Sequence, residues 1–130
     1  MNEARKEFEQ YSNELQSQLQ AMYEELQTKF QYYQSNFATM SNTIKQIKEE
    51  ELNDTQNRIQ QFEADAAREL DAKRAELMNP LLEKLQNTIT TVSRDNKLAA
   101  VFDTGSSTIM YYGEDTIDIT YMVMKELGIQ

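Results

Sequence analysis

Along the first part of the chain, apolar residues return every three or four positions: Phe8, Tyr11, Leu15, Leu19, Met22, Leu26, Phe30, Tyr33, Phe37 and Met40. The mean step is about 3.6 residues, between a strict heptad and a straight α-helix, so the spacing predicts one apolar seam without strong supercoiling. Glu, Gln, Lys and Ser fill the remaining faces. A second, less regular stripe follows at Ile44, Ile47, Leu52, Ile59, Phe62, Ala66, Leu70, Leu77, Leu81, Leu82, Leu85, Ile89 and Val92, with lapses at Thr55 and at Lys73 and Arg74. Punctuation agrees with two long helices. No glycine precedes Gly105, and Pro80 is the only proline, so the two strongest helix breakers are almost absent.

Two such stripes bury each other when the helices fold back into an antiparallel hairpin. A turn at Ser41, Asn42 and Thr43 pairs Phe37 with Ile47, Leu26 with Ile59, Met22 with Phe62, Leu15 with Leu70 and Phe8 with Leu77. A turn at Asn53, Asp54 and Thr55 also gives mostly apolar pairs, because a periodic seam tolerates such shifts. Turn chemistry favours the first. Thr43 and Gln46 have the spacing of a capping box, whereas the later turn sets Glu49, Glu50 and Glu51 against the helix macrodipole. Each helix of the arm would then be about 55–60 Å long at 1.5 Å per residue. In this register Leu85, Ile89 and Val92 run past the first helix. Their cover is expected from the C-terminal body, a second subunit or a preceding segment. Pro80 is expected to kink the helix where that overhang begins.

Beyond Asn96 the texture changes. The stretches 98–103 and 108–112 read as strands joined by Thr104, Gly105, Ser106 and Ser107. Val101 and Phe102 are adjacent and both large, which predicts a strand covered on two faces. Ile117, Tyr121, Met124 and Leu127 follow helical spacing toward Gly128, a natural residue for a helix end. The expected fold is mainly α (α+β): a long antiparallel helical-hairpin coiled-coil arm over 1–94, and a small β-sheet body with a short C-terminal helix over 95–130. Two strands and one helix are marginal alone, so the body is expected to oligomerise.

Composition narrows the functions. Apolar residues make up 39% and charged residues 27%, too little for a broad core but enough for narrow seams on solvated helices. The regular spacing argues against disorder. The absence of Cys and His excludes thiol nucleophiles, zinc fingers and any Ser-His-Asp triad. No apolar run is long enough to cross a membrane, and no signal segment opens the sequence. A net charge of −9 opposes nucleic acid and anionic lipid as partners, leaving basic or apolar ones.

Three features could carry chemistry. Phe102-Asp103-Thr104-Gly105-Ser106-Ser107 reads like the loop of an aspartic protease, which needs two such carboxylates sharing a proton. That enzyme also needs an all-β lobe far larger than the residues outside the arm, so a hairpin turn, with Asp at its entrance and Gly at positive φ, is expected. Glu49, Glu50, Glu51 and Asp54 fan around a helix and cannot converge on one ion; no metal or cofactor is expected. Tyr23 and Tyr32 lie one step off the seam, where amphipathic rings either widen the seam or grip an apolar partner.

The run Leu77-Met78-x-Pro80-Leu81-Leu82-x-Lys84-Leu85-x-x-x-Ile89-x-x-Val92 is followed by Leu98-Ala99-Ala100-Val101-Phe102-Asp103. Ile109-Met110-Tyr111-Tyr112, Asp118-Ile119-Thr120 and Leu127-Gly128 come next. Together they resemble the Skp/OmpH family of periplasmic outer-membrane-protein chaperones. The arm resembles it only in pattern. The resemblance implies a homotrimer, with three helical-hairpin arms on a β body, that encloses unfolded outer-membrane proteins and prevents their aggregation without ATP. On this resemblance, the family's signal peptide and first strand are expected to lie outside this sequence. Its acidic charge departs from the basic relatives, so lipopolysaccharide or anionic-membrane binding is not carried over.

The expected function is therefore a periplasmic ATP-independent holdase, not an enzyme. Its partners would be unfolded outer-membrane proteins and further copies of the chain, without nucleic acid and without stable membrane insertion. The alternatives are a coiled-coil spacer or tether and a prefoldin-like chaperone. Tyr23, Phe30, Tyr32, Phe37 and Met40 are the candidate client contacts. Leu82, Leu85, Ile89, Val92, Val101, Phe102, Ile109 and Tyr111 are the candidate oligomerisation residues.

Overall fold

A computed structural model describes residues 2–105, 111 and 113–129. Among these, three helices form: α1 (Asn2–Asn36), α2 (Asn42–Asp95) and α3 (Thr120–Leu127). Contacts divide the chain into two compact units, Met1–Leu77 and Met78–Gln130. The boundary falls inside α2, just ahead of Pro80, which lies within the helix and has no N–H to offer the Glu76 carbonyl.

The first unit is an antiparallel helical hairpin. Glu7 meets Lys73, Tyr11 meets Glu69, Tyr23 meets Glu63, Lys29 meets Thr55 and Tyr33 meets Glu49. The paired numbers sum to between 80 and 86 at each of these contacts, the signature of one antiparallel register. Leu15 and Ile59 are its buried apolar anchors, flanked by half-buried Phe8, Leu19, Met22, Leu26, Phe62, Leu70 and Leu77. Burial of this kind, and not helix propensity, supplies most of a long helix's stability.

The start of α2 differs from the expected capping box. Ser41 is the cap: its Oγ accepts the Ile44 N–H at 3.3 Å and its carbonyl accepts the Lys45 N–H at 2.9 Å. Thr43 lies inside the helix, and the Gln46 amide donates forward to Glu50. With Asn42 already helical, the residue immediately before it has the geometry to take up the orphan N–H groups.

The second unit holds a small core of Val92, Ile119 and Val123, with Ile89, Leu98 and Leu127 packed around it. Ile119, Val123 and Leu127 stand at i, i+4 and i+8, so they share one face of α3. This corrects the expected face: Ile117 and Tyr121 are exposed, and the stripe that packs is turned away from them. Both helix ends in this unit close alike. Leu98 N–H donates to the Ser93 carbonyl and Lys97 N–H to that of Arg94. Ile129 and Gly128 repeat the pattern on Met124 and Lys125. The residue each closure needs in the left-handed region is Lys97 (φ 54°) and Gly128 (φ 71°). Leu98, which follows Lys97, packs back on the Val92 core, the hydrophobic contact that accompanies this helix ending.

No strand or sheet forms among the described residues, so the expected β-sheet body is not supported. Residues 101–103 are irregular, with Val101 and Phe102 exposed. A segment of high β-propensity becomes a strand only against a partner, and the described chain places none beside it. Of the second expected strand only Tyr111 is described, and it is irregular and exposed. The Asp103 carboxylate accepts the Gly105 N–H at 2.8 Å, a local Asx turn. Gly105 does not take a positive φ there, contrary to the expected hairpin geometry.

Candidate binding surface at the hairpin turn

The seam of the first unit changes character along its length. Nearer the chain start it contains the residues that the apolar stripes mark. From Lys29 to the turn Tyr33, Met40 and Leu52 stay partly covered, but the other marked residues leave it. Lys29 and Asn36 on α1, and Lys45 and Lys48 on α2, are partly covered, while Phe30, Phe37, Ile44 and Ile47 are exposed. Two of the expected seam rings, Phe30 and Phe37, remain 47% accessible each. Expected seam membership of these four residues is thus overturned. Long lysine stems can cover apolar surface while their ammonium groups stay hydrated, so such an exchange costs less than it would for a short polar side chain.

The change begins at a polar layer. Thr55 is the most buried residue described, 2% accessible. Its hydroxyl donates to the Glu51 carbonyl at 2.8 Å and accepts from the Lys29 ammonium at 3.0 Å. Lys29 also pairs with Glu25 at 2.6 Å, and Arg58 approaches the same carboxylate at 4.0 Å. Hydrogen bonding and charge from Lys29 hold the Glu25 carboxyl below its ordinary pKa. Lys29 and Glu25 come from α1, Thr55 and Arg58 from α2, so the layer joins both helices. The second lapse has the same explanation. Lys73 is largely covered and bonds Glu7 across the hairpin at 2.6 Å and Glu76 on its own helix at 3.3 Å; the Glu7 bond raises its pKa. What looked like interruptions of the stripe are cross-helix polar contacts.

Three tyrosines of α1 donate to glutamates of α2: Tyr11 to Glu69 at 2.5 Å, Tyr23 to Glu63 at 2.8 Å, and Tyr33 to Glu49. Each phenol is pushed up from its ordinary pKa, first by that hydrogen bond. The rungs pin the helices while leaving ring surface accessible at Tyr23. Near the turn, the Phe37 ring meets Tyr33 edge-on at 5.4 Å, and the Lys45 ammonium lies 3.9 Å from the Phe37 centroid. Lys48 stands 5.9 Å from the Tyr32 ring. No acidic residue occurs between Glu25 and Glu49, so the turn itself presents rings and lysine stems, with Glu49, Glu50 and Glu51 following on α2. An open groove lined by Thr28, Lys29, Tyr32, Lys48, Glu51 and Leu52 runs beside the polar layer.

The expected site residues fall in different places. Tyr23, Phe30, Tyr32 and Phe37 are exposed on the hairpin and Met40 is half-covered at its turn. Ile44 and Ile47 belong with them and were not singled out, because helical spacing assigned them to the seam. In the second unit Leu82, Leu85, Val101, Phe102 and Tyr111 are exposed, whereas Val92 is buried in the small core with Ile89 beside it. Ile109 lies outside the described residues. The acidic run does not converge: Glu49 accepts from Tyr33, Glu50 from Gln46, and Glu51 from Lys48. Among the described residues no group of carboxylates could hold a metal ion, and no helix is long and apolar enough to cross a membrane.

A family model described as outer membrane protein (OmpH-like) matches residues 1–127. The chain belongs to the Skp/OmpH family. A relative from Aquifex aeolicus (strain VF5), described as an uncharacterized protein, is 30% identical over 128 residues, which is 96% of this chain and 72% of that protein. No solved structure matches the chain. Members of the OmpH-like family are periplasmic chaperones and not enzymes, so the family assigns this chain a chaperone-type role.

Proposed function

We propose that the protein is an ATP-independent holdase that binds unfolded outer-membrane proteins between coiled-coil arms of a homotrimer in the periplasm. The observation that carries this reading is the outward placement of Phe30, Tyr32, Phe37, Ile44 and Ile47 on a solvated hairpin. Large apolar side chains left on a water-facing surface mark an interaction site. Here they are spaced along helices and separated by polar residues, with no enclosed pocket, so each contact is weak and any extended chain with scattered rings can satisfy several at once. Tyr23 and Met40 extend the same surface. Assembly is assigned to the exposed Leu82, Leu85, Val101, Phe102 and Tyr111 and, on the family resemblance, to Ile109; Ile89 and Val92 support it by packing α3.

The test is dilution of a denaturant-unfolded β-barrel protein into buffer with and without this protein, no nucleotide being present, followed by light scattering. The reading predicts suppressed scattering at stoichiometric ratio and a trimeric mass for the protein alone. A tether would ignore unrelated unfolded chains, and that result would overturn the holdase reading.

A further inference from the structure

We propose that the Lys29–Thr55–Glu25 layer is a positioning device that sets the rotation of α1 so that Phe30 faces solvent. Its importance for client binding rests on the holdase reading; its effect on Phe30 does not. Lys29 and Phe30 are neighbours on one helix and therefore point about 100° apart, given 3.6 residues per turn. Only one of them can face α2. In an uninterrupted seam the ring would take that place, because burying it gains more than burying a lysine stem. The observed arrangement is the reverse: Lys29 reaches the seam and Phe30 stays 47% accessible.

What holds the lysine there is visible. Thr55 offers a buried hydroxyl whose own proton is committed to the Glu51 carbonyl, leaving its lone pairs for the ammonium. Glu25, one turn earlier on α1, supplies the countercharge. Lys29 and Thr55 each have partners, and no buried side-chain nitrogen or oxygen lacks one among the described residues. A satisfied polar contact in an apolar seam specifies register and rotation at a cost in stability. The residues flanking Phe30 carry the consequence on. Tyr33 and Met40 remain partly covered, but Asn36 occupies the seam in place of Phe37, as Lys29 does in place of Phe30. Thus Lys29, Thr55 and Glu25 are positioning residues for the rings, and no contact with a client is required of them.

The experiment uses the full chain with 4-fluorophenylalanine placed at position 30, read by fluorine NMR with a soluble nitroxide as the probe of exposure. In the parent, the resonance broadens strongly. In Lys29→Met with Thr55→Val the ring moves into the apolar seam, the broadening falls severalfold and the melting temperature rises, because matched polar groups have been replaced by apolar ones of similar size. With Lys29 present, Thr55→Ser keeps the hydroxyl and retains the parent's broadening, whereas Thr55→Val reduces it, a difference that a merely structural role for residue 55 would not require. Lys29→Met alone, with Thr55 intact, shows reduced broadening and provides the readout should the double variant fail to fold. Equal broadening in parent and Lys29→Met overturns the proposal. The same samples in the scattering assay separate the two readings: a parent that does not suppress aggregation defeats the holdase reading, while the fluorine result still decides the role of the layer.

Discussion

The two ends of the helical hairpin carry similar apolar stripes and use them in opposite ways. Toward the chain start, Leu15 and Ile59 are buried between half-covered apolar neighbours, and Glu, Gln and Arg face water. Toward the turn, lysines enter the seam and phenylalanines and isoleucines leave it. One end is spent on stability and the other gives some stability up. Binding surfaces commonly sit where packing has been compromised in this way.

The largest effect that can test this contrast is a truncation in the well-packed part. Ile59→Ala should cost about 2–4 kcal/mol in chemical denaturation followed by circular dichroism, the range for a large-to-small change at a buried site. A loss under half a kcal/mol would mean that this part is no better packed than the turn. Next is the layer between them. Lys29→Ala removes the charged donor and should cost about 1 kcal/mol, reduced from the buried-pair range because the ammonium is partly solvated. A stabilised variant would show that the contact is incidental.

The tyrosine rungs span both regions and give a pH test. Tyr11, Tyr23 and Tyr33 have pKa values raised by their bonds to Glu69, Glu63 and Glu49. A group whose folded pKa is raised stabilises the fold fully below its unfolded pKa, near 10 for tyrosine, and loses that contribution as pH rises through the folded value. The melting temperature should therefore fall at alkaline pH, beyond about pH 10. Replacing all three by Phe should flatten that part of the profile. An unchanged slope in the triple variant would assign the alkaline loss elsewhere, with Lys73 the first alternative, since its raised pKa acts in the same direction. The smallest effect is expected at the turn itself: Phe30→Ala with Phe37→Ala should change stability by no more than about 0.5 kcal/mol, as exposed positions do.

Helical spacing and the absence of glycine and proline made the hairpin legible. Those signals are local and repeat many times, so single misreadings do not matter. The exchange near the turn was not legible. Lys29 reads as a surface residue until Thr55 is placed opposite it, and Thr55 reads as a lapse until its hydroxyl is seen to have two partners. Each half of the contact lies on a different helix, so neither carries a signal alone. The stretch from Leu98 to Asp103 failed for a related reason. Its residues favour a strand, but a strand is a property of a pair, and the sequence of one segment cannot report whether a partner is present. Toward α3 the expected stripe of Ile117, Tyr121, Met124 and Leu127 shares only Leu127 with the face that packs: Ile119, Val123 and Leu127 make the second apolar stripe, and the Val92 core takes that one.

We propose that the outward rings of the hairpin hold unfolded clients. It is tested most directly by comparing parent and the Phe30→Ala/Phe37→Ala variant in suppressing aggregation of an unfolded β-barrel protein, without nucleotide and at equal protein stability. The variant is expected to fold as well as the parent and to need a severalfold higher concentration to suppress scattering. Suppression at the same concentration by both proteins would contradict it.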